Sequence, residues 1–177
     1  ITGAPAFMER LADYVSTSGE SLPCVTAITV GGAPVSQSLC QKLTSAFENA
    51  RVEVLYGSTE AEPISGVFDE EYLSAMGNGH LVGSPVPQIQ VVAVQLPTNL
   101  DDIKDNSLDA YKVNTGDIGE IVIKGKHVLK GYVDNPRANK ENKIPCDDGL
   151  VWHRTGDTGF LDEKGRIWLT GRLSDVI

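Results

Sequence analysis

The chain has 177 residues, 41% of them hydrophobic and 22% charged, enough for one sizeable core or two small ones. Fifteen Lys and Arg against 24 Asp and Glu leave a formal net charge of −9. That excludes a nucleic-acid groove, which needs a basic face, but not a nucleotide, whose phosphates can be held by local amides, a metal ion or a few side chains. Cys24, Cys40 and Cys146 are too few and too scattered for a disulfide framework or a Cys-x-x-Cys metal site. Cys24 and Cys40 lie in apolar-patterned segments and are expected to be small buried hydrophobes. No apolar run approaches about 18 residues and no leader pattern is present, so no transmembrane segment is expected and a reducing, cytoplasmic setting is the default. The chain starts at Ile1 and stops at Ser-Asp-Val-Ile, which reads as a piece of a longer parent.

In chain order, Pro-Ala-Phe-Met-Glu-Arg-Leu-Ala-Asp-Tyr-Val puts Phe7, Leu11 and Val15 on one helical stripe. Residues 24–30 form a short β-branched run, as in a parallel strand covered on both faces. Gly-Gly-Ala-Pro then turns the chain, Ser36 is a candidate N-cap, and Leu39, Leu43 and Phe47 mark a helix through Asn49. Residues 52–56 are the next strand, completing a strand–helix–strand unit. After Ser65 the chain becomes rich in Gly and Pro, with short strands at 89–96, 119–125 and 165–171 and turns at 97–99, 114–117 and 162–165. The polar stretch 99–112 reads as a surface insertion. The expectation is an α/β chain: a partial parallel βαβ sheet over 1–66, then a small antiparallel, barrel-like β portion over 67–177.

Open parallel sheets hold ligands beyond the carboxyl ends of their strands. Gly31-Gly32-Ala33-Pro34 and Gly57-Ser58-Thr59-Glu60 leave two such ends. The paired glycines permit close backbone approach, and Tyr56 offers a stacking surface. Thr59 offers a hydroxyl, and Glu60 a hard oxygen suited to magnesium. An equally economical reading makes the first a strand-to-helix turn and the second a helix start capped by Ser58 or Thr59. The run Gly-Glu-Ile-Val-Ile-Lys-Gly-Lys resembles a phosphate loop, but five residues rather than four separate its glycines and no Ser or Thr follows the Lys. Its glycines mark strand ends. Further on, Asp157 sits in Thr-Gly-Asp and Arg172 follows a strand and a glycine. A carboxylate in a turn suits a ribose diol, and it also suits an ordinary hairpin.

Taken together, these segments resemble the adenylate-forming superfamily of acyl- and aryl-CoA synthetases, peptide-synthetase adenylation domains and luciferases. Gly-Gly-Ala-Pro is similar to its adenine-site loop and Tyr-Gly-Ser-Thr-Glu to its Tyr-Gly-x-Thr-Glu motif. Gly119–Gly125 with Gly131-Tyr132 is similar to its Gly-Glu-aliphatic strand, Arg154–Asp157 to its ribose motif, and Gly171-Arg172 to its approach to the interdomain hinge. The resemblance implies that Gly32, Ala33 and Pro34 flank the adenine and that Tyr56 stacks on it. Thr59 would contact the α-phosphate and Glu60 the magnesium ion. Asp157 would hold the ribose hydroxyls, Arg172 would reach ribose or phosphate, and Gly57 and Ser58 would border the acyl pocket. It implies ATP, AMP, magnesium and coenzyme A as the parent enzyme's small-molecule partners. The chemistry is acyl-adenylate formation from a carboxylic acid followed by transfer to a thiol. The superfamily's lysine-bearing phosphate loop and its adenylation lysine are not in these residues, so the isolated chain is expected to make no adenylate.

Two positions depart from the pattern. Ser174, followed by Asp175, occupies the hinge position usually held by Asp or Lys, and His153 stands where an aromatic is frequent. The run 147–172 is most similar to the branch of long-chain fatty-acyl synthetases and olefin β-lactone synthetases. Fatty-acyl–CoA ligation is the first reading and lactone closure of a β-hydroxy acid the second. A non-catalytic nucleotide-binding module is the alternative outside enzymes. Glu62 has no assigned role and is expected to be solvated.

Overall fold

The computed structural model describes residues 1–97, 100, 103 and 108–175. Strand β1 (Thr2–Gly3) leads into helix α1 (Pro5–Ser18), strand β2 (Ala27–Gly31), helix α2 (Gln37–Ala46) and strand β3 (Arg51–Ser58). These three strands are parallel, with Thr2 opposite Thr29 and Val30 opposite Val54. The chain then changes direction. Strand β4 (Ala61–Phe68) folds back antiparallel on β3, a short helix α3 (Asp69–Ser74) follows, and β5 (His80–Pro85) pairs antiparallel with β4. Strands β6 (Ile89–Val94) and β7 (Gly119–Gly125), helix α4 (Pro136–Asn142), strand β8 (Lys143–Pro145), and the long hairpin of β9 (Val151–Leu161) and β10 (Ile167–Arg172) complete the fold. One ladder runs β1-β2-β3-β4-β5-β10-β9-β7-β6, with β8 added beside β9.

The α/β class holds, with parallel strands first and antiparallel strands after them. The antiparallel strands continue the same open sheet rather than closing on themselves. Strand β4 carries the ladder through residue 66 without a break.

The parallel strands are buried on one face, not two. Ile28, Val30, Val52 and Val54 lie beneath α1 and α2, while Thr29, Glu53 and Leu55 on the other face are half-exposed. The α1 stripe is also rotated from expectation: Met8, Ala12 and Val15 are buried, and Phe7 is 56% exposed. Phe7 lies close to the backbone of Gly3, where any Cβ would meet its ring at 2.9 Å. Ser36 caps α2 as expected, its hydroxyl accepting from the Leu39 amide at 3.1 Å, but the helix ends at Ala46 rather than Asn49. Cys40 is buried and Cys24 is exposed, so only the first is a small buried hydrophobe.

A second core beneath the antiparallel strands gathers Ala61, Ile64, Val82, Ile89, Ile121, Ile123 and Ile167. Strand β7 is covered on both faces, Val122 turning the other way toward Val94, Ile144 and Trp152. Residues 98 and 99 of the expected turn and half of the stretch 99–112 lie outside the described residues. Of that stretch, Ile103 and Leu108 are buried against the Val122 cluster. Among the described residues, no helix is long and apolar enough to cross a membrane.

Candidate functional site

Segments from both parts of the sheet bound one cavity of about 790 Å³, with Tyr72 and residues 80–82 of β5 along its floor between its walls. Gly32, Ala33 and Pro34 come from the turn after β2, and Tyr56, Gly57 and Ser58 from the end of β3. Thr59 and Glu60 form the two-residue turn into β4, since Ser58 pairs with Ala61. Tyr132 comes from the loop after β7, and His153, Thr155 and Asp157 from β9. Gly171 and Arg172 close the end of β10. Of the residues singled out by sequence, Ser174 and Asp175 do not line the cavity. They lie in an exposed 3-10 turn, the Ser174 hydroxyl donating to Asp175 Oδ1 at 3.1 Å.

Local sequence explains how the walls form. A Cβ on Gly31 would sit 2.5 Å from the Leu55 carbonyl oxygen, so glycine lets the end of β2 lie against β3. Gly32 follows with φ +79°, a left-handed turn that glycine adopts without strain. The Tyr72 hydroxyl donates to the Val35 carbonyl and pins the far side of that turn. The segment 57–60 starts a β-hairpin and not a helix, so the capped-helix reading of Ser58 and Thr59 is excluded. Ser58 Oγ is buried without a hydrogen-bond partner. Glu62 is exposed.

On the opposite wall, Thr155-Gly156-Asp157 is a bulge inside β9, not a free turn. Val122 pairs with Arg154 and Glu120 with Thr158, so one residue of β7, Ile121, faces three of β9. Gly156 takes φ +73°. The Thr155 hydroxyl donates to the Ile121 carbonyl at 2.8 Å and accepts from the Asp157 amide at 3.1 Å, replacing ladder bonds that the bulge removes. Beside it Arg154 forks onto buried Glu120, Nε to Oε2 at 2.9 Å and Nη2 to Oε2 at 2.8 Å. A bulge re-aims a side chain, and here it turns Asp157 into the cavity.

The two walls meet at Asp157. The Tyr56 hydroxyl donates to Oδ2 at 2.5 Å and Arg172 Nη1 donates to Oδ1 at 2.6 Å. Burial and then the Asp157 charge push the Tyr56 phenol far above its usual range, so it remains a donor. A carboxylate has about four lone-pair sites, so Asp157 keeps acceptor capacity for a second pair of donors.

Glu60 is held from the loop after β7. The Tyr132 hydroxyl donates to Oε1 at 2.8 Å and the Leu129 amide donates to the Glu60 carbonyl at 2.7 Å. Partial burial opposes ionisation of Glu60, but the Tyr132 bond and Glu60's own amide outweigh it and leave the carboxyl below its usual range. Burial and Glu60 together push the Tyr132 phenol up to about 12. His153 is buried, its Nδ1 3.3 Å from the Asn142 carbonyl, and burial with the nearby Lys143 charge lowers its pKa. Among the described residues, no group of three or more His, Cys, Asp or Glu could hold a metal. A lone, ionised Glu60 fits magnesium, which binds through one or two carboxylates and completes its shell with water and substrate phosphates.

Sequence reasoning gave Tyr132 no role, although its Gly-Tyr pair was visible. Thr155 was one member of a motif, with no sign that it staples the bulge. Both act through partners 34 or more residues away, beyond the reach of local pattern.

The family model described as "AMP-binding enzyme" matches residues 1–133. An olefin beta-lactone synthetase from Stenotrophomonas maltophilia is 33% identical over 99% of this chain and 32% of its own length. A putative acyl–CoA ligase, YdaB of Bacillus subtilis, is 30% identical over all of this chain and 31% of its own length. Among solved structures, a long-chain-fatty-acid–CoA ligase from Archaeoglobus fulgidus superposes with a TM-score of 0.72 at 25% identity, covering 97% of this chain and 34% of that one. The chain spans about a third of the length of the curated relatives it matches.

Proposed function

The chain belongs to the AMP-binding enzyme family, and on that premise we propose that it forms the adenylate-cradling wall of a longer ATP-dependent acyl-activating ligase. The observation that carries this reading is the Tyr56–Asp157 bond, 2.5 Å long between residues 101 positions apart, which ties a stacking ring to a carboxylate across one cavity. Gly32, Ala33, Pro34 and Tyr56 hold the base. Asp157 accepts from the ribose hydroxyls while Arg172 fixes its orientation and faces the phosphate side. Thr59 donates to the α-phosphate, Glu60 offers the metal carboxylate, and Gly57 and Ser58 border the acid. The division after residue 66 then separates the groups for the base from the group for the ribose, while the phosphate is met from both sides by Thr59 and Arg172.

In the reaction, an oxygen of the substrate carboxylate attacks the α-phosphorus. The bond to pyrophosphate breaks, and acyl-adenylate remains. The thiol of coenzyme A, losing its proton, then attacks the acyl carbon and AMP leaves. Thr59 and Arg172 stabilise negative charge on the phosphate oxygens with donors already in place. Magnesium, when bound, neutralises charge on the phosphates as a Lewis acid. Tyr132 keeps Glu60 ionised and aimed. The favoured acid is a fatty acid. Three free cysteines suit a reducing compartment, and the cytoplasm is part of the same reading. Ser174 and Asp175 serve as the hinge to the rest of the parent.

One observation favours a second reading, the 33% identity to a lactone synthetase. There the β-hydroxyl of the substrate attacks its own acyl-adenylate carbon and AMP leaves, without coenzyme A. The test is to incubate the full-length protein with ATP, magnesium, a fatty acid and coenzyme A, and separately with ATP, magnesium and a β-hydroxy acid but no coenzyme A. A thioester mass supports ligation, and a product one water lighter than the hydroxy acid supports lactone closure. No AMP release from either acid overturns both.

A further inference from the structure

Lys143 is the first residue of β8 and is only 6% exposed. A buried ammonium has lost its hydration and is retained only where partners replace it. Its Nζ donates to the Leu129 carbonyl at 2.5 Å and lies 5.2 Å from the centre of the Tyr132 ring. These two partners are the same two residues that grip Glu60, Leu129 by its amide and Tyr132 by its hydroxyl. An apolar side chain of similar length would fill the space with less desolvation, so the charge and the directed donor need a reason beyond packing. Asn139 secures the loop at a second point: its Oδ1 accepts from the Tyr132 amide at 2.6 Å and its Nδ2 donates to the Tyr132 carbonyl at 3.0 Å. Asn139 lies in α4, which ends at Asn142, immediately before Lys143. The lysine therefore anchors, from behind, a loop whose front holds one carboxylate.

We propose that Lys143 is a positioning residue for Glu60: its ammonium locks Leu129 and Tyr132, and these fix the carboxylate toward the cavity. The inference rests on the reading of Glu60 as the metal carboxylate. It makes β8 and α4 part of the site's support although their own sequence contains no motif. Partners one step removed from a metal ligand typically alter metal affinity or activity by about 10- to 100-fold when removed.

The test uses the full-length protein with Lys143→Met, which keeps the stem, and Lys143→Arg, which keeps the charge. Two readouts are taken: hydrogen exchange at the Leu129 amide without nucleotide or metal, and the magnesium concentration that half-saturates adenylate formation. Lys143→Met should speed Leu129 exchange and raise the magnesium requirement about tenfold, with KM for the acid unchanged, and Lys143→Arg should restore both. The same substitution added to Tyr132→Phe should have much less further effect on the magnesium requirement, because both act through one bond. A lowered melting temperature with wild-type Leu129 exchange and wild-type magnesium dependence would reduce Lys143 to packing and overturn the inference. So would full additivity with Tyr132→Phe. Should Lys143→Met fail to fold, Lys143→Gln replaces it with the same two criteria. If the wild type forms no adenylate at any magnesium concentration, the functional reading fails separately, while the exchange data still decide whether Lys143 holds the loop.

Discussion

The parallel strands β2 and β3 present their functional groups at their carboxyl ends, whereas the antiparallel strand β9 presents Asp157 from its interior. The β2–β3 ladder is finished at Gly31 and Leu55, so the turn after β2 faces a ligand with no loss of pairing, and the end of β3 needs only a register shift between Tyr56 and Ser58 before the hairpin into β4. In mid-strand the ladder must be interrupted. The bulge at Thr155-Gly156-Asp157 does this, and the Thr155 hydroxyl and the Glu120–Arg154 pair compensate for the missing bonds. The same cavity therefore has one wall made by topology and one made by local repair.

That contrast can be broken most forcefully at Glu120. Glu120→Ala leaves Arg154 half-enclosed without its carboxylate and should destabilise the chain by about 3–5 kcal/mol, read from the urea midpoint. An unchanged midpoint would mean that the bulge stands without its ion pair. Asp157→Ala should weaken AMP binding to the full-length protein by about 1.5–3 kcal/mol, roughly 10- to 150-fold in calorimetry. Equal affinity would remove the antiparallel wall from the site.

The hairpin that carries this wall has an acid-sensitive turn. Burial opposes ionisation of Asp162, but Arg166, the Trp168 indole and two amides outweigh it and hold its pKa at about 2, against an ordinary 3.8. Because the folded pKa is the lower one, this stabilisation is complete above about pH 4 and disappears as pH falls through 2. It amounts to roughly 2 kcal/mol, and Asp162→Asn should flatten that limb of the acid titration. The smallest effect belongs to the parallel region. Ser36→Ala removes the α2 cap and should lower stability by about 1 kcal/mol without changing AMP affinity beyond what reduced folding explains.

Much of this was legible before any coordinates. Gly119 and Gly125 bound β7 as expected, because a β-branched run between glycines has little else to become. Tyr56, Thr59, Glu60, Asp157 and Arg172 were identifiable as a set from motif order, and the structure brings them around one cavity. Other features were read wrongly or not at all. Helix α1 has apolar residues at 7, 8, 11, 12 and 15, which fit two rotational settings. Packing against α2 and β2 selected Met8, Ala12 and Val15 and left Phe7 outside. Residues 57–60 carry capping chemistry and hairpin chemistry at once, and the choice depended on β4 finding β3.

The sequence by itself determined the first strand–helix–strand unit, the strand between Gly119 and Gly125, the turns at 114–117 and 162–165 and the identity of the polar groups, since these follow from periodicity and backbone preference within about a turn or two. Tertiary structure alone decided which face of each element is covered. It alone paired Tyr56 with Asp157 across 101 positions and brought Lys143 behind the loop that holds Glu60. Those contacts join residues far apart in the chain, and no local propensity encodes a partner that arrives from another strand.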